Sequence, residues 1–172
     1  MMFNDTCRSE LSRVLSRYEI KREALIPCLH AAQRCERHIS KDAVDFLAHA
    51  IGINKAEVYG VATFYHMFST EPLGENTIRV CSSLPCHIKG KDQVIETIEK
   101  ELGISVGETT PDGSITLLAD PCMGLCDIAP AMVINEQPFG NLTPERVLEI
   151  LGALKKGEAS RSVPSSQVFE RA

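Results

Sequence analysis

The chain has 172 residues, of which 44% are hydrophobic, and a net charge of -5. This length suits one domain, or a small domain with an appended subdomain, and it allows a sizeable core to be buried. No apolar run approaches the roughly 18 residues of a membrane span. The N-terminal residues carry no secretion or import pattern, and no stripe of Lys and Arg indicates nucleic-acid binding. We therefore expect a cytoplasmic protein.

Four amphipathic helices are predicted between residues 5 and 70, where apolar side chains recur at the i, i+3, i+4, i+7 spacing. We expect Ser40 to cap the third helix and Gly52 to end it. Asn54, with Glu57 three residues on, is typical of a capping arrangement for the fourth. The predicted inward-facing residues are Leu11, Val14, Leu15 and Tyr18, then Ala24, Leu25, Cys28, Leu29 and Ala32, then Val44, Leu47, Ala48 and Ile51.

The fourth predicted helix continues into an aromatic run. Three of the six phenylalanines and two of the three tyrosines fall within residues 46–68, which marks this stretch as unusual. We interpret the run as core packing between the two halves of the protein. The alternative is a docking surface for another subunit, because large exposed aromatic side chains are costly unless they are covered.

The pattern changes after residues 71–74, where a proline and a glycine interrupt it. Short runs rich in β-branched residues now predict strands. The first two strands, joined through a helix, suggest a crossover, and the later ones suggest a hairpin. The predicted elements are strands at 77–80, 114–118 and 131–134, an edge strand near Phe139, a helix at 90–102, and a last helix from Thr143 to Gly157 with Val147, Leu148, Leu151 and Leu154 buried.

This order of elements predicts an α+β fold: an N-terminal helical bundle followed by a small mixed sheet with flanking helices, of thioredoxin-like type. The expected division is a helical subdomain at residues 1–74, a sheet domain at 75–157 and a polar C-terminal tail at 158–172.

Four of the seven cysteines form two tight pairs. The first pair, Cys81 and Cys86, has C-x4-C spacing, and the second pair, Cys122 and Cys126, has C-x3-C spacing. Each pair follows a predicted strand, so two loops on neighbouring strands would bring four thiolates into one small volume. In a chain without a secretion signal, clustered thiols are more often metal ligands or catalytic groups than disulfides.

Thiolates bind either iron–sulfur clusters or zinc. A structural zinc site more usually has C-x2-C spacing in a chain that is too small to fold alone. Gly124 would let the backbone approach a bulky centre, and an apolar lining would partly exclude water. We favour an iron–sulfur cluster and keep a zinc-stabilised interaction domain as the alternative. The apolar residues of the second loop are Met123, Leu125, Ile128 and Ala129.

Other roles for these thiols are disfavoured. A dithiol oxidoreductase needs C-x-x-C at the start of a helix, which the chain lacks. His87 adjoins Cys86, but adjacent side chains seldom align as nucleophile and base, so we keep it only as a hydrogen-bond donor to the cluster. The cysteines outside the pairs are interpreted as small core residues. These are Cys7, Cys28 and Cys35.

From about residue 20 to 155 the chain resembles a known family, the thioredoxin-like 2Fe–2S subunit of NADH dehydrogenase modules. In bacterial NADH:quinone oxidoreductase this is the E subunit. The same subunit type is similar to parts of NAD-linked soluble hydrogenases, formate dehydrogenases and electron-bifurcating complexes. The resemblance rests on Val58–Tyr65, Arg79–Cys81, Cys86–Gly90, Gly107–Gly113, Ile128–Pro130 and Leu142–Glu145.

The resemblance implies one 2Fe–2S cluster held by Cys81, Cys86, Cys122 and Cys126, with one pair on each iron. It also implies docking on a flavoprotein subunit that binds FMN and NADH, beside a larger iron–sulfur subunit. The chain would exchange single electrons with that FMN and lie at the membrane only through its complex. Asp127 departs from the family pattern, and its charge is expected to lower the reduction potential.

The chain carries no glycine-rich dinucleotide fingerprint, so alone it is not expected to oxidise NADH. A free-standing ferredoxin is a further alternative. The helical, aromatic N-terminal segment argues against it, because a simple carrier needs no such extension.

Overall fold

A computed structural model of the chain describes residues 5–156. The described chain divides into two compact units, and the boundary falls between Leu73 and Gly74. We call them the helical unit and the sheet unit. The sequence-based division at residues 1–74 and 75–157 is kept as a proposal for the biological domains. The predicted tail, 158–172, lies outside the described residues.

The helical unit contains the four predicted helices. Ser40 caps the third by accepting a hydrogen bond from the backbone N–H of Ala43, and Gly52 ends it with a positive φ of 79°. Asn54 caps the fourth as predicted, but Glu57 does not complete a capping box and instead forms an ion pair with Arg22. The helices are α1 (Asp5–Leu15), α2 (Leu25–Glu36), α3 (Lys41–Ile51) and α4 (Lys55–Phe64).

The predicted apolar stripes form the core of the helical unit. Tyr18 is an exception to the helix prediction, because α1 ends at Leu15 and Tyr18 packs on the core from outside the helix. The aromatic run is divided: Phe68 is buried, whereas Phe64 is 74% exposed and Tyr59 is exposed. Tyr59 and Phe64 therefore lie outside the core of the helical unit, and packing of the run between the two halves stays a prediction.

The sheet unit has four strands in the order β2-β1-β3-β4. β1 and β2 are parallel, and β3 pairs antiparallel with both β1 and β4. The predicted crossover and hairpin are both present. The elements are β1 (Asn76–Cys81), α5 (Leu84–Ile88), α6 (Lys91–Leu102), β2 (Ile115–Asp120), β3 (Met132–Ile134), β4 (Gln137–Phe139) and α7 (Pro144–Lys155).

Helices α6 and α7 pack against each other, and their apolar residues share one core with the strands. Thr143 caps α7 by accepting a hydrogen bond from the N–H of Arg146. The prediction that Leu148 is buried is wrong: it is exposed, because it lies beside the inward stripe of α7. The predicted stop at Gly157 lies outside the described residues. The predicted α+β fold is confirmed.

Candidate metal centre

Both cysteine loops leave the same edge of the sheet. Because β1 and β2 are parallel neighbours, their carboxyl ends lie side by side, with Cys81 in register with Asp120. The backbone N–H and the hydroxyl of Ser82 each donate a hydrogen bond of 2.8 Å to the carbonyl of Asp120. The first loop is thereby tied to the start of the second.

An ion pair lies beneath the two loops. Arg79 of β1 donates to the carboxylate of Asp120 of β2 at 2.8 Å, and the two side chains are only 11% and 13% exposed. Breaking a pair that is so little hydrated leaves one charge without its partner, which is strongly unfavourable. The pair therefore fixes the spacing of the strand ends from which the cysteines project.

The first cysteine pair is held by regular structure. Cys81 is the last residue of β1, and Cys86 lies on α5, a short helix that is not evident from the sequence pattern. Both thiols are buried, contact each other and pack against Ala129 and Ala131. One side of the site is therefore lined by small apolar groups.

The second cysteine pair lies in an exposed loop. The sulfur atoms of Cys122 and Cys126 are 3.6 Å apart, and both residues are exposed. The backbone N–H of Gly124 points at the sulfur of Cys122, 3.5 Å away. Gly124 adopts a positive φ of 78°, a conformation that favours glycine and turns its N–H toward the thiol.

Ser83 links the two pairs, a role that sequence reasoning missed. Its hydroxyl lies 3.2 Å from the sulfur of Cys81 and also bonds to Cys122. A serine between two cysteines is so common in loops that the sequence carries no signal for this role. Only the crossing of the two loops brings its hydroxyl between the pairs.

In each pair one thiol ionises more readily than the other. Burial raises the pKa of Cys81, but hydrogen bonds with Ser83, Cys86 and Met123 together outweigh burial and bring that pKa below its usual value. The N–H of Gly124 lowers the pKa of Cys122. Burial and the neighbouring Cys81 raise the pKa of Cys86, and Cys122 raises that of Cys126. Two thiolates can therefore form easily, as metal binding requires.

The arrangement in two pairs suits a binuclear centre. Two thiolates on one tetrahedral ion with bonds of about 2.3 Å lie roughly 3.8 Å apart, close to the 3.6 Å between Cys122 and Cys126. Within residues 5–156, no three His, Cys, Asp or Glu side chains converge to hold a single metal ion. A 2Fe–2S cluster would take two of the four cysteines on each iron.

His87 and the three cysteines outside the pairs have partners or surroundings of their own. The Nδ1 of His87 is 2.9 Å from the carboxylate of Asp92, so the ring binds this partner on α6. Cys28 is a buried core residue as predicted, and burial raises its pKa to about 11. Cys7 is also buried, whereas Cys35 is exposed, which corrects the prediction that it is a core residue.

Comparison with known proteins agrees with this geometry. The family model of thioredoxin-like 2Fe-2S ferredoxins matches residues 11–155. This chain belongs to that family. The match includes both cysteine pairs and most of the helical unit. Between residues 5 and 156 the structure has no helix that is both long and apolar enough to cross a membrane.

Relatives named as subunits of NADH-quinone oxidoreductase match most of the chain. The E subunit of NADH-quinone oxidoreductase from Pseudomonas aeruginosa is 38% identical over 88% of this chain and 92% of its own length. The E 2 subunit of the same enzyme type from Rhizobium meliloti is 35% identical over 92% and 94%. Such chains are named as subunits of larger complexes.

A solved structure of an NAD+-reducing NiFe hydrogenase superposes with a TM-score of 0.70 at 24% identity, over 84% of this chain. The chain spans 25% of the length of that hydrogenase chain. This likeness shows a shared fold.

Proposed function

We propose that this chain is the electron-transfer subunit of an NADH-oxidising or NAD-reducing flavoprotein module in a multisubunit oxidoreductase. The observation that carries the proposal is the meeting of two cysteine pairs at one sheet edge, in a chain of the 2Fe-2S ferredoxin family. The names of its relatives support the NADH dehydrogenase module. In this proposal Cys81 and Cys86 hold one iron of a 2Fe–2S cluster, and Cys122 and Cys126 hold the other.

A 2Fe–2S cluster, when bound, supplies one-electron chemistry, whereas a nicotinamide delivers two electrons together. The residues of this chain set the conditions for that chemistry. The buried first pair and its alanine neighbours keep water from one side. The N–H groups of Met123 and Gly124 and the hydroxyl of Ser83 direct positive dipoles at the cysteine sulfurs. Such hydrogen bonds stabilise added negative charge and raise the reduction potential.

The proposed partner is a flavoprotein subunit that binds FMN and NADH, with a larger iron–sulfur subunit beside it. Leu84 and Ile88 support a docking surface close to the cysteines. They lie four residues apart on α5, on either side of Cys86, and are 68% and 73% exposed. Large apolar side chains in such a position are costly unless a partner covers them.

The helical unit offers a second candidate contact. Between Glu57 and Glu71 the chain has no Asp, Glu, Lys or Arg, and within this stretch Tyr59, Phe64 and Met67 are exposed. An uncharged surface with exposed aromatic rings is typical of the centre of a protein–protein interface. This supports the docking alternative for the aromatic run.

We further propose that the chain works in the cytoplasm and meets the membrane only through its complex. All seven cysteines are free thiols in the structure, which suits a reducing compartment. The same subunit would serve equally in a soluble hydrogenase, a formate dehydrogenase or an electron-bifurcating complex. The proteins that co-purify with it distinguish these assemblies.

The test is to mix the purified, cluster-containing chain with its flavoprotein partner and to follow the cluster signal by EPR after adding NADH. We expect no reduction without the flavoprotein and rapid reduction with it. An unreduced cluster in the complex, or reduction by NADH without the flavoprotein, contradicts the proposal.

Ile88→Lys tests the docking surface, because it places a charge beside Cys86 without removing a buried group. Val106→Lys is the matched control: Val106 is also an exposed apolar residue. It follows the far end of α6, a 12-residue helix that spans about 18 Å. Ile88→Lys should weaken flavoprotein binding at least tenfold more than Val106→Lys, and equal effects would exclude α5 from the interface.

A further inference from the structure

Two cysteines outside the cluster site contact each other in the helical unit. Cys7 lies in the first turn of α1, and Cys35 lies in the last turn of α2. The two helices pack together, and the thiol of Cys35 is a hydrogen-bond partner of the thiol of Cys7. The sequence separates these residues widely, so only the folded helix pair brings their sulfurs together.

The two thiols differ sharply in access. Cys7 is 1% exposed and belongs to the core of the helical unit, whereas Cys35 is exposed. A dissolved reagent therefore meets Cys35 first. Burial and the neighbouring Cys35 raise the pKa of Cys7, and its place in the core shields it from direct attack by the reagent. An exposed attacking thiol with a buried resolving thiol beside it is the arrangement of a redox-sensitive pair.

Metal binding and core packing explain the contact between Cys7 and Cys35 less well than thiol oxidation does. The part of the chain that the structure describes has no group of three or more metal-ligating side chains around Cys7 and Cys35, and two thiols alone rarely hold a metal. Cys28 shows what a cysteine used only for packing looks like in this unit. It is fully buried, and burial alone accounts for its raised pKa.

We propose that Cys7 and Cys35 form a site of reversible thiol oxidation, at which hydrogen peroxide converts them into a disulfide that joins α1 to α2. The Cys35 thiolate attacks the peroxide, an S–O bond forms, the O–O bond breaks and hydroxide leaves. The sulfur of Cys7 then attacks the oxidised sulfur of Cys35, so that an S–S bond forms and the S–O bond breaks. Two thiols and one peroxide give one disulfide and two waters, and the sulfurs supply the two electrons.

The disulfide would close a loop of about 30 residues, which contains the connection between the two helices. Cross-linking a loop of this size restricts the unfolded chain and stabilises the folded one. We expect the melting temperature of the helical unit to rise by about 5 °C or more on oxidation. Reduction by a dithiol reagent should reverse the shift.

The test uses the full cluster-containing protein, treated with hydrogen peroxide, blocked with N-ethylmaleimide and digested with trypsin without reduction. The three cysteines of the helical unit fall on three tryptic peptides: Cys7 on residues 1–8, Cys28 on residues 23–34 and Cys35 on residues 35–37. Mass spectrometry should find peptides 1–8 and 35–37 joined, with a loss of about two hydrogen masses relative to their sum. Peptide 23–34 should carry the N-ethylmaleimide label or remain protected within the core.

Cys35→Ser should abolish the cross-link and leave Cys7 a free thiol, while Cys28→Ala should leave the cross-link intact. Because Cys35 is exposed, its serine variant is expected to fold normally. A wild-type protein in which Cys35 carries further oxidation or the maleimide label, with the thiol of Cys7 still present, overturns the proposal. So does a cross-link that joins Cys35 to any residue other than Cys7.

Discussion

The two cysteine pairs meet at one edge of the sheet but have opposite surroundings. Cys81 and Cys86 are 2% and 1% exposed and are held by a strand end and a helix. Cys122 and Cys126 are exposed and lie in a loop whose only regular element is a 3-10 turn. The first pair is positioned by the core, whereas the second depends on contacts made by the first loop and by the strand ends.

The difference gives the site a dry side and an open side. The first pair keeps solvent from half of the proposed cluster, and the second pair leaves the other half near the surface, where a partner can approach. A site enclosed on all sides would hinder electron exchange with a partner, and one open on all sides would lose the protection of its sulfurs. The following predictions test this contrast, starting from the largest expected effect.

The largest contrast should appear in thiol reactivity. In cluster-free protein treated with iodoacetamide at neutral pH, Cys122 and Cys126 should be alkylated at least ~10-fold faster than Cys81 and Cys86. The buried pair reacts only after local opening, and each factor of ten corresponds to about 1.4 kcal/mol of opening free energy. Time-resolved peptide mass spectrometry measures all four rates, with the buried Cys28 as an internal reference. Equal alkylation rates for the two pairs would contradict the difference in their accessibility.

Asp120→Ala should cause the largest loss of stability. It breaks the little-exposed ion pair with Arg79, and breaking such a pair costs about 3 kcal/mol. Urea unfolding of the two proteins measures the loss. The control is Glu101→Ala, which breaks a 2.6 Å ion pair with Lys155 in which both side chains are at least 40% exposed. It should cost less than about 1 kcal/mol, and an equal cost would contradict the role given to Asp120.

Gly140→Ala should displace the second loop selectively. A Cβ at Gly140 would lie 2.5 Å from three side-chain atoms of Ile128, the residue that ends the 3-10 turn begun by Cys126. We expect a loss of about 1–3 kcal/mol from overpacking and faster alkylation of the second pair. Gly152→Ala in α7 meets nothing within 4 Å and should stabilise the protein by up to about 1 kcal/mol. Similar effects of both variants would exclude the contact with Ile128 as the cause.

Ser83→Ala should lower the reduction potential of the proposed cluster. It removes a hydroxyl that bonds to Cys81 and Cys122, one cysteine from each pair. The expected shift is on the order of tens of millivolts, measured by EPR-monitored redox titration. Ser82→Ala is the matched control, since the hydroxyl of Ser82 donates to the carbonyl of Asp120. An unchanged potential in Ser83→Ala would show that the bridge does not act on the cluster.

The smallest effect is expected at the opposite end of β2. Asp112 accepts hydrogen bonds from the side chains of Thr110 and Ser114 and from the Ser114 backbone, which lower its pKa to about 2. Because the folded pKa lies below the unfolded one, this stabilisation is present above about pH 4 and is lost as the pH falls toward 2. The difference in urea midpoint between wild type and Asp112→Ala should therefore shrink from pH 6 to pH 3. A difference in urea midpoint that stays constant between pH 6 and pH 3 would contradict the stabilising role of the Asp112 carboxylate.

The sequence was sufficient to predict the four helices and the cysteine pairs, because both depend on local signals. Ser40 and Asn54 cap helices as predicted, since capping uses residues only two or three positions away. The parallel arrangement of β1 and β2 followed from the one helix predicted between them, because parallel neighbours require such a crossover. This was enough to bring both cysteine loops to one edge.

The features that the sequence could not predict depend on contacts between distant residues. The role of Ser83 requires the crossing of two loops, and the pairing of Arg79 with Asp120 requires the strand register. Leu148 and Cys35 follow helical spacing but lie at the margin of a buried face, so periodicity placed them on the wrong side. The exposure of Phe64 also depends on how distant parts of the chain pack, so the sequence pattern does not predict it.

The central claim is that the two cysteine pairs hold one 2Fe–2S cluster. The most direct measurement is an absorption and EPR spectrum of the isolated chain, purified without air, before and after dithionite, together with its metal content. We expect a brown protein with two irons and two sulfides per chain and a rhombic EPR signal on reduction. A colourless, EPR-silent protein with one zinc per chain would contradict the account and identify a zinc-stabilised interaction domain instead.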